Sequence, residues 1–220
     1  MAMCATLAIM SIGHDETTTP VDPTMNRPEL ILVRHGETEW SKTRHHTGRT
    51  DIPLTEHGRE QARRLSSAIA TFPIVHVFAS PLQRAWETAQ LMGLDPTADD
   101  DLLEWDYGDY EGRTTNDIRQ KIPGWSVWTH PIIGGESIDE VGARCDGLIT
   151  KMLALTGTIA LVAHAHILRV LGARWIEAPC VEGQRLALDT TTISLLGWER
   201  ENRVIRRWND PVGWEYGATS

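Results

Sequence analysis

His35 and His164 each close an apolar run, Leu32-Val33-Arg34-His35 and Leu161-Val162-Ala163-His164. A neutral imidazole is a competent nucleophile near neutral pH. The arginine beside the first of them, Arg34, can clamp an anion through its planar fork and stays charged while doing so. A third short apolar run ends at Ala79-Ser80, and Arg84 follows within a helical turn. Phosphomonoester hydrolysis needs these parts: in-line attack, charge stabilisation at the equatorial oxygens, and a proton for the leaving oxygen. A carboxyl group can give that proton. Glu104 is a candidate by position, although alone it reads as a solvated carboxylate.

Positioning these groups requires strands that end on one edge. Glu29 to Arg34 reads as a strand, and Thr158 to Ala163 as a buried one, its continuous apolar run being the pattern of a central parallel strand. His76 to Ala79 is a third. In an open α/β sheet ligands bind beyond the carboxyl ends of the strands, so two histidines distant in sequence meet there. Helices are expected over Thr55–Phe72, Leu82–Met92 (Ser80 as N-cap, Pro81 at the first position), Thr115–Lys121, Ser137–Leu155 and Ile167–Ile176. Helix N-termini favour phosphate. Thr38–Pro53 and Leu103–Gly112 read as loops, and Asp95–Asp101 as a solvated acidic turn. Arg185–Leu188, Thr192–Trp198 and Arg203–Trp208 are expected to be strands. The alternation predicts a single-domain three-layer α/β/α sandwich with a mostly parallel central sheet. Residues 27–210 would form the domain, residues 1–26 a disordered extension, and residues 211–220 a tail.

The chain of 220 residues carries a formal charge of −9. That argues against nucleic acid and anionic membrane as partners, while leaving room for a small basic pocket. Three widely spaced cysteines, Cys4, Cys145 and Cys180, without a CxxC, suggest a reduced, cytoplasmic protein. No apolar run approaches the ~20 residues of a membrane span. Met1–Gly13 is mildly apolar but has no preceding Lys or Arg, so it reads as an extension rather than a signal peptide.

From Leu30 to about Trp208 the chain resembles the histidine phosphatase superfamily, the phosphoglycerate-mutase-like proteins. The resemblance rests on Arg34-His35-Gly36-Glu37-Thr38-Glu39-Trp40, Asp51-Ile52-Pro53-Leu54-Thr55, Ser80-Pro81-Leu82-Gln83-Arg84-Ala85, Gly135-Glu136-Ser137 and Ala163-His164, in that order. It implies that His35 is the phosphorylated nucleophile, that Arg34, Arg84 and His164 hold the phosphoryl oxygens, and that Glu104 is the proton donor. It implies a structural role for Glu37. The implied activity is metal-independent phosphomonoester hydrolysis through a phosphohistidine, without cofactor, on a small phosphorylated metabolite such as a sugar phosphate. A homodimer is compatible with it. Two departures stand out: Ser41 where asparagine is frequent, and Ala165 where glycine is usual. Neither removes a catalytic group.

The same resemblance covers phosphoglycerate mutases, and Thr47-Gly48 and Glu104-x-x-Tyr107-Gly108 resemble the mutase pattern. Where mutases carry lysine and an arginine pair for the substrate's other acid groups, this chain has Thr115 and Trp128-Thr129-His130, and its cap segment is short. Trp40-Ser41-Lys42, Thr47-Gly48 and Glu104 to Gly112 also resemble the sedoheptulose-bisphosphatase-like branch and its bacterial acid-phosphatase relatives. Hydrolysis is therefore expected over mutase activity. An inactive phospho-ligand binding module is the other alternative, opposed by the five core residues. Ser41, Thr47, Gly48, Tyr107, Ala165 and His166 are the expected substrate contacts. His164-x-His166 has metal-pair spacing but no companion set, so no metal is expected. His45-His46 reads as solvated. Trp105, Trp125 and Trp128 fall in the segment that caps the pocket in this family.

Overall fold

Strand β1 (Glu29–Arg34) and strand β4 (Thr158–Ala163) have the limits expected from sequence, and they lie side by side, parallel, with Arg34 opposite Ala163. Residues 27–211 are described in this computed structural model, so the expected extension and nearly all of the expected tail lie outside the described residues. Strand β2 (Ile74–Ala79) flanks β4, and the two-residue β3 (Thr97–Ala98) flanks β2, both parallel. On the other side β5 (Ile193–Glu199) runs antiparallel to β1 and turns back into β6 (Asn202–Asp210). The order is β3-β2-β4-β1-β5-β6.

Side-chain alternation along β1 divides the core into two layers. Ile31 and Val33 pack with Leu65 and Ile69 of α2 (Glu56–Ile69) and Ala85 and Ala89 of α3 (Gln83–Leu91). Leu30 and Leu32 face the opposite layer, α5 (Ile138–Leu153) and α6 (Ala165–Trp175). The result is the three-layer sandwich. β4 is central and buried along its whole length, which explains its unbroken apolar sequence. Two short helices, α1 (Glu39–Thr43) and α4 (Thr115–Arg119), stand over the carboxyl edge, each opened by a capping box: Thr38 with Ser41, and Thr114 with Asp117.

Several expectations are corrected here. The loop after His35 contains α1, because Thr38 and Ser41 close their box over a single helical turn. Ser80 does not cap α3; Leu82 occupies that position without a side-chain bond, and the Gln83 amide donates to Asp51 Oδ1 at 2.9 Å. The acidic turn contributes β3 to the sheet. Arg185–Leu188 is not a strand: a 3-10 turn over Cys180–Arg185 takes its first residue, and the carbonyl of Leu188 is bound by Arg34 rather than by a neighbouring strand.

Candidate active site

The carboxyl ends of β1 and β4 deliver His35 and His164 with ring centroids 5.1 Å apart and planes at 60°. Above them opens a cavity of about 470 Å³ whose wall includes Arg34, His35, Glu104, Tyr107, Ala165 and His166. Gly36 fixes the first histidine. A Cβ there would lie 2.5 Å from the Gly58 carbonyl oxygen, and one on Gly58 would lie 2.2 Å from that of Glu37. Only two glycines let the strand end press this closely on the first turn of α2.

His35 Nδ1 lies 2.7 Å from the Gly36 carbonyl oxygen. A carbonyl only accepts, so Nδ1 carries the proton and Nε2 keeps a lone pair. Burial, then the charges of Arg84 and Arg34, push the imidazole pKa well below its ordinary value, so the ring is neutral. Arg34 gives Nη1 to the Leu188 carbonyl at 2.6 Å, while its buried Nε–H has no partner. The other such donor among the described residues is the indole N–H of Trp125, on the same wall.

Arg84 and His164 lie beneath this wall rather than on it. Both are fully buried. Arg84 Nε donates to His164 Nδ1 at 3.1 Å, Nη1 to the Thr50 carbonyl, and Nη2 to those of Thr47 and Gly48. With Nδ1 accepting, His164 carries its proton on Nε2 and donates it to Ser80 Oγ at 2.7 Å. This is where the hydroxyl expected to cap α3 is used. Burial and the neighbouring Arg84 push the His164 pKa well down as well. One N–H of Arg84 Nη1 stays uncommitted.

Glu104 occupies the N-terminus of α6. Its Oε1 accepts from the amides of Trp105 and Ile167, both at 2.9 Å, and Oε2 from that of His166 at 3.0 Å. The helix N-termini at this edge are only partly open to phosphate as expected: Asp51 takes the Gln83 amide of α3, and Glu104 takes the His166 and Ile167 amides of α6. Ala165, the first residue of α6, lines the cavity, and its amide has no intrahelical acceptor. The Glu104 segment is itself anchored. Glu136 Oε2 accepts from the Asp106 amide and from Arg144 and Arg49, while Arg144 Nη1 donates to the carbonyls of Asp101 and Leu103.

Of the expected substrate contacts, Ser41, Thr47, Tyr107, Ala165 and His166 line the cavity and Gly48 does not. Gly48 acts through its backbone: a Cβ would lie 2.6 Å from the Trp105 carbonyl oxygen, and its own carbonyl holds Arg84. The Ser41 hydroxyl is engaged with Thr38. Tyr107 and His166 are joined, Oη to Nδ1, at 2.6 Å. His46 is not solvated. It is buried against Tyr107 and Trp125, its Nε2 is 3.2 Å from Thr115 Oγ1, and burial lowers its pKa to about 4. Trp125 and Trp128 line the cavity, whereas Trp105 packs in the core. Sequence reasoning also missed cations here: Arg44, Arg119 and Arg169 line the wall. The doublet Arg44-His45 and the isolated Arg119 carry no local signal for this. Among the described residues no group of three or more His, Cys, Asp or Glu side chains is arranged to hold a metal ion, and no helix is long and apolar enough to cross a membrane.

Comparisons with known proteins give the family and the fold. The sequence model of the histidine phosphatase superfamily, branch 1, matches residues 30–211. An acid phosphatase of Mycobacterium tuberculosis is 40% identical over 181 residues, covering 80% of this chain and 89% of that protein. The sedoheptulose 1,7-bisphosphatase of Saccharomyces cerevisiae is 34% identical over 183 residues, 67% of each chain. The solved structure of the open reading frame Rv3214 product of Mycobacterium tuberculosis superposes with a TM-score of 0.80 at 36% identity, covering 83% of this chain and 97% of that one.

Proposed function

The chain belongs to the histidine phosphatase superfamily, and from that membership and the geometry of the site we propose that it hydrolyses a small phosphomonoester, a sugar phosphate by class, through a phosphohistidine. The observation that carries the reading is the pairing of two complementary vacancies in one wall. His35 Nε2 holds a lone pair because Nδ1 is fixed on the Gly36 carbonyl, and the neighbouring Arg34 Nε–H has no acceptor. A phosphoryl group satisfies both. The relatives named acid phosphatase and sedoheptulose 1,7-bisphosphatase support phosphate-ester hydrolysis and a sugar-type substrate.

In the proposed scheme the phosphoryl oxygens dock on Arg34 and on the Ala165 amide. Arg84 joins through its uncommitted Nη1–H. His164 joins by exchanging its bond to Ser80 for one to the phosphate. His35 Nε2 attacks phosphorus as the ester P–O bond breaks, and Glu104 gives its proton to the leaving oxygen. Water then attacks the phosphohistidine, Glu104 takes the water proton, the N–P bond breaks, and inorganic phosphate leaves. No step calls for a metal.

The scheme predicts that His35→Ala loses turnover of an aryl phosphate by several orders of magnitude while keeping its thermal midpoint. It also predicts that acid-labile, base-stable phosphate is trapped on the wild-type chain by rapid quench, with release unaffected by a chelator. Full activity of His35→Ala, or an absent adduct during turnover, defeats it.

A further inference from the structure

Two arginines at the mouth of the cavity take no part in that scheme. Arg44 caps the end of α1 and Arg119 ends α4. A backbone bridge between His45 and Thr114, with the His46 amide on the Arg113 carbonyl, lays the end of α1 against the start of α4. Both residues line the cavity that holds His35 and Arg34.

Neither guanidinium is consumed by the protein. Among the described residues Arg44 makes no side-chain hydrogen bond or ion pair. Arg119 gives only Nε–H, to the Trp125 carbonyl at 2.8 Å, and keeps both Nη groups. The nearest acid on α4, Asp117, has its carboxylate on the Thr114 amide and hydroxyl. The third newly found arginine differs. Arg169 is spent on the carbonyls of Gly183 and Gln184 and lies over the Trp128 ring, so it is wall.

Backbone conformation decides how Arg44 can be replaced. Arg44 sits at φ 61°, ψ 33°, in the left-handed region. Helices commonly end on such a residue, and it is usually glycine, because a Cβ is disfavoured there. Glu177, Thr191, Arg200 and Asn209 also have positive φ, so the conformation marks Arg44 as a place that tolerates glycine and does not by itself mark a ligand site. Trp125, whose indole N–H is buried without an acceptor, stands beside the same mouth.

We propose that Arg44 and Arg119 form a second anion subsite that takes the distal phosphate of a bisphosphorylated small metabolite while the first phosphate docks at Arg34 and His35. The inference rests on the phosphatase reading for the first phosphate only. Two planar cations match a dianion, and they are exposed enough to release it after each turnover. In a chain of net charge −9 they also mark the cavity mouth as the place where a doubly anionic substrate is drawn in.

The test is calorimetric titration of His35→Ala with a ketohexose bisphosphate, the matching monophosphate, and a phosphoester whose second acid group is a carboxylate. The bisphosphate is expected to bind about tenfold tighter than the monophosphate, the effect of one or two charge-assisted hydrogen bonds in a wet site. Adding Arg44→Gly is expected to bring that ratio near one without lowering the thermal midpoint, since glycine relieves the strained cap. Equal affinities for the two sugars, or a ratio that survives Arg44→Gly, overturns the subsite. A carboxylate ester that binds like the bisphosphate and responds equally to Arg44→Gly overturns its assignment to phosphate. Aryl phosphate release by the wild-type chain is measured in parallel; its absence defeats the phosphatase reading and leaves the binding ratio to decide the subsite.

Discussion

Arg34 carries a buried polar atom that the protein itself leaves unsatisfied. A buried N–H without an acceptor costs about 1–3 kcal/mol, and its Nε–H is in that state while Nη1 is well bonded. On the proposed scheme the cost is offset when substrate binds, because a planar fork can hold the Leu188 carbonyl and a phosphoryl oxygen at once. Arg34→Lys keeps the charge and can still reach the carbonyl, but has one compact head in place of the fork. Its kcat/KM on an aryl phosphate is expected to fall roughly a hundredfold, a loss of about 2–3 kcal/mol in charge-assisted bonding. Its thermal midpoint is expected to hold or rise. A midpoint that drops in step with activity would mean that Arg34 is chiefly structural. That His35, Arg34 and Glu104 share one wall was legible from sequence, because each closes a strand or follows one in family order. Their vacancies and bonds were not, since tautomer and orphan state depend on carbonyls that the fold brings in from far along the chain.

At the scale of elements, the Glu104 segment is irregular and owes its place to α5. The Ser137–Glu140 capping box starts that helix. One turn later Arg144 reaches across to Glu136 and to the carbonyls of Asp101 and Leu103, with little side-chain exposure. Removing one partner of such a group leaves Glu136 and two carbonyls short of donors. Arg144→Met should therefore destabilise the chain by about 3 kcal/mol, and it should also loosen Glu104. Turnover of alkyl phosphates, which need the proton, is then expected to fall further than that of aryl phosphates, with KM little changed. Equal losses on both would confine Arg144 to stability. The same scale explains which elements could be read in advance. β1 and β4 are unbroken apolar runs and were placed correctly, and α5 carries its own capping box. Ser80-Pro81 was misread as a helix start because local propensity does not register that His164 takes the serine hydroxyl. The segment before Leu188 has strand-like composition, yet Arg34 takes the Leu188 carbonyl. β3 has two residues, too few to show a period, and Arg44 and Arg119 come to one cavity lining only through the fold, which joins their segments by the long-range bridge between His45 and Thr114.

The whole molecule couples this cavity to pH through four histidines. His35, His46, His164 and His166 all have pKa values pushed down, in each case first by burial. A histidine whose folded pKa lies below its unfolded one binds fewer protons in the native state, so its effect on stability is absent above the unfolded value of about 6.5 and grows as pH falls. For His46, lowered to about 4, the loss between pH 6.5 and 4 is about 3 kcal/mol, and the other three act in the same direction. An anion at the catalytic wall reverses part of this. Its charge offsets Arg84 and Arg34 against His35 and His164 and raises their pKa values, so binding takes up protons as the pH falls. By linkage, protons must then tighten anion binding, and a ligand stabilises the native state in proportion to its occupancy. Sulfate is a suitable reporter because it stays a dianion across the range. It is expected to raise the thermal midpoint by several degrees more at pH 5 than at pH 8. His35→Ala, which removes one of the two coupled imidazoles, should narrow that difference. An equal increment at both pH values would show that the buried imidazoles remain neutral with the anion bound, and that the arginines alone hold it.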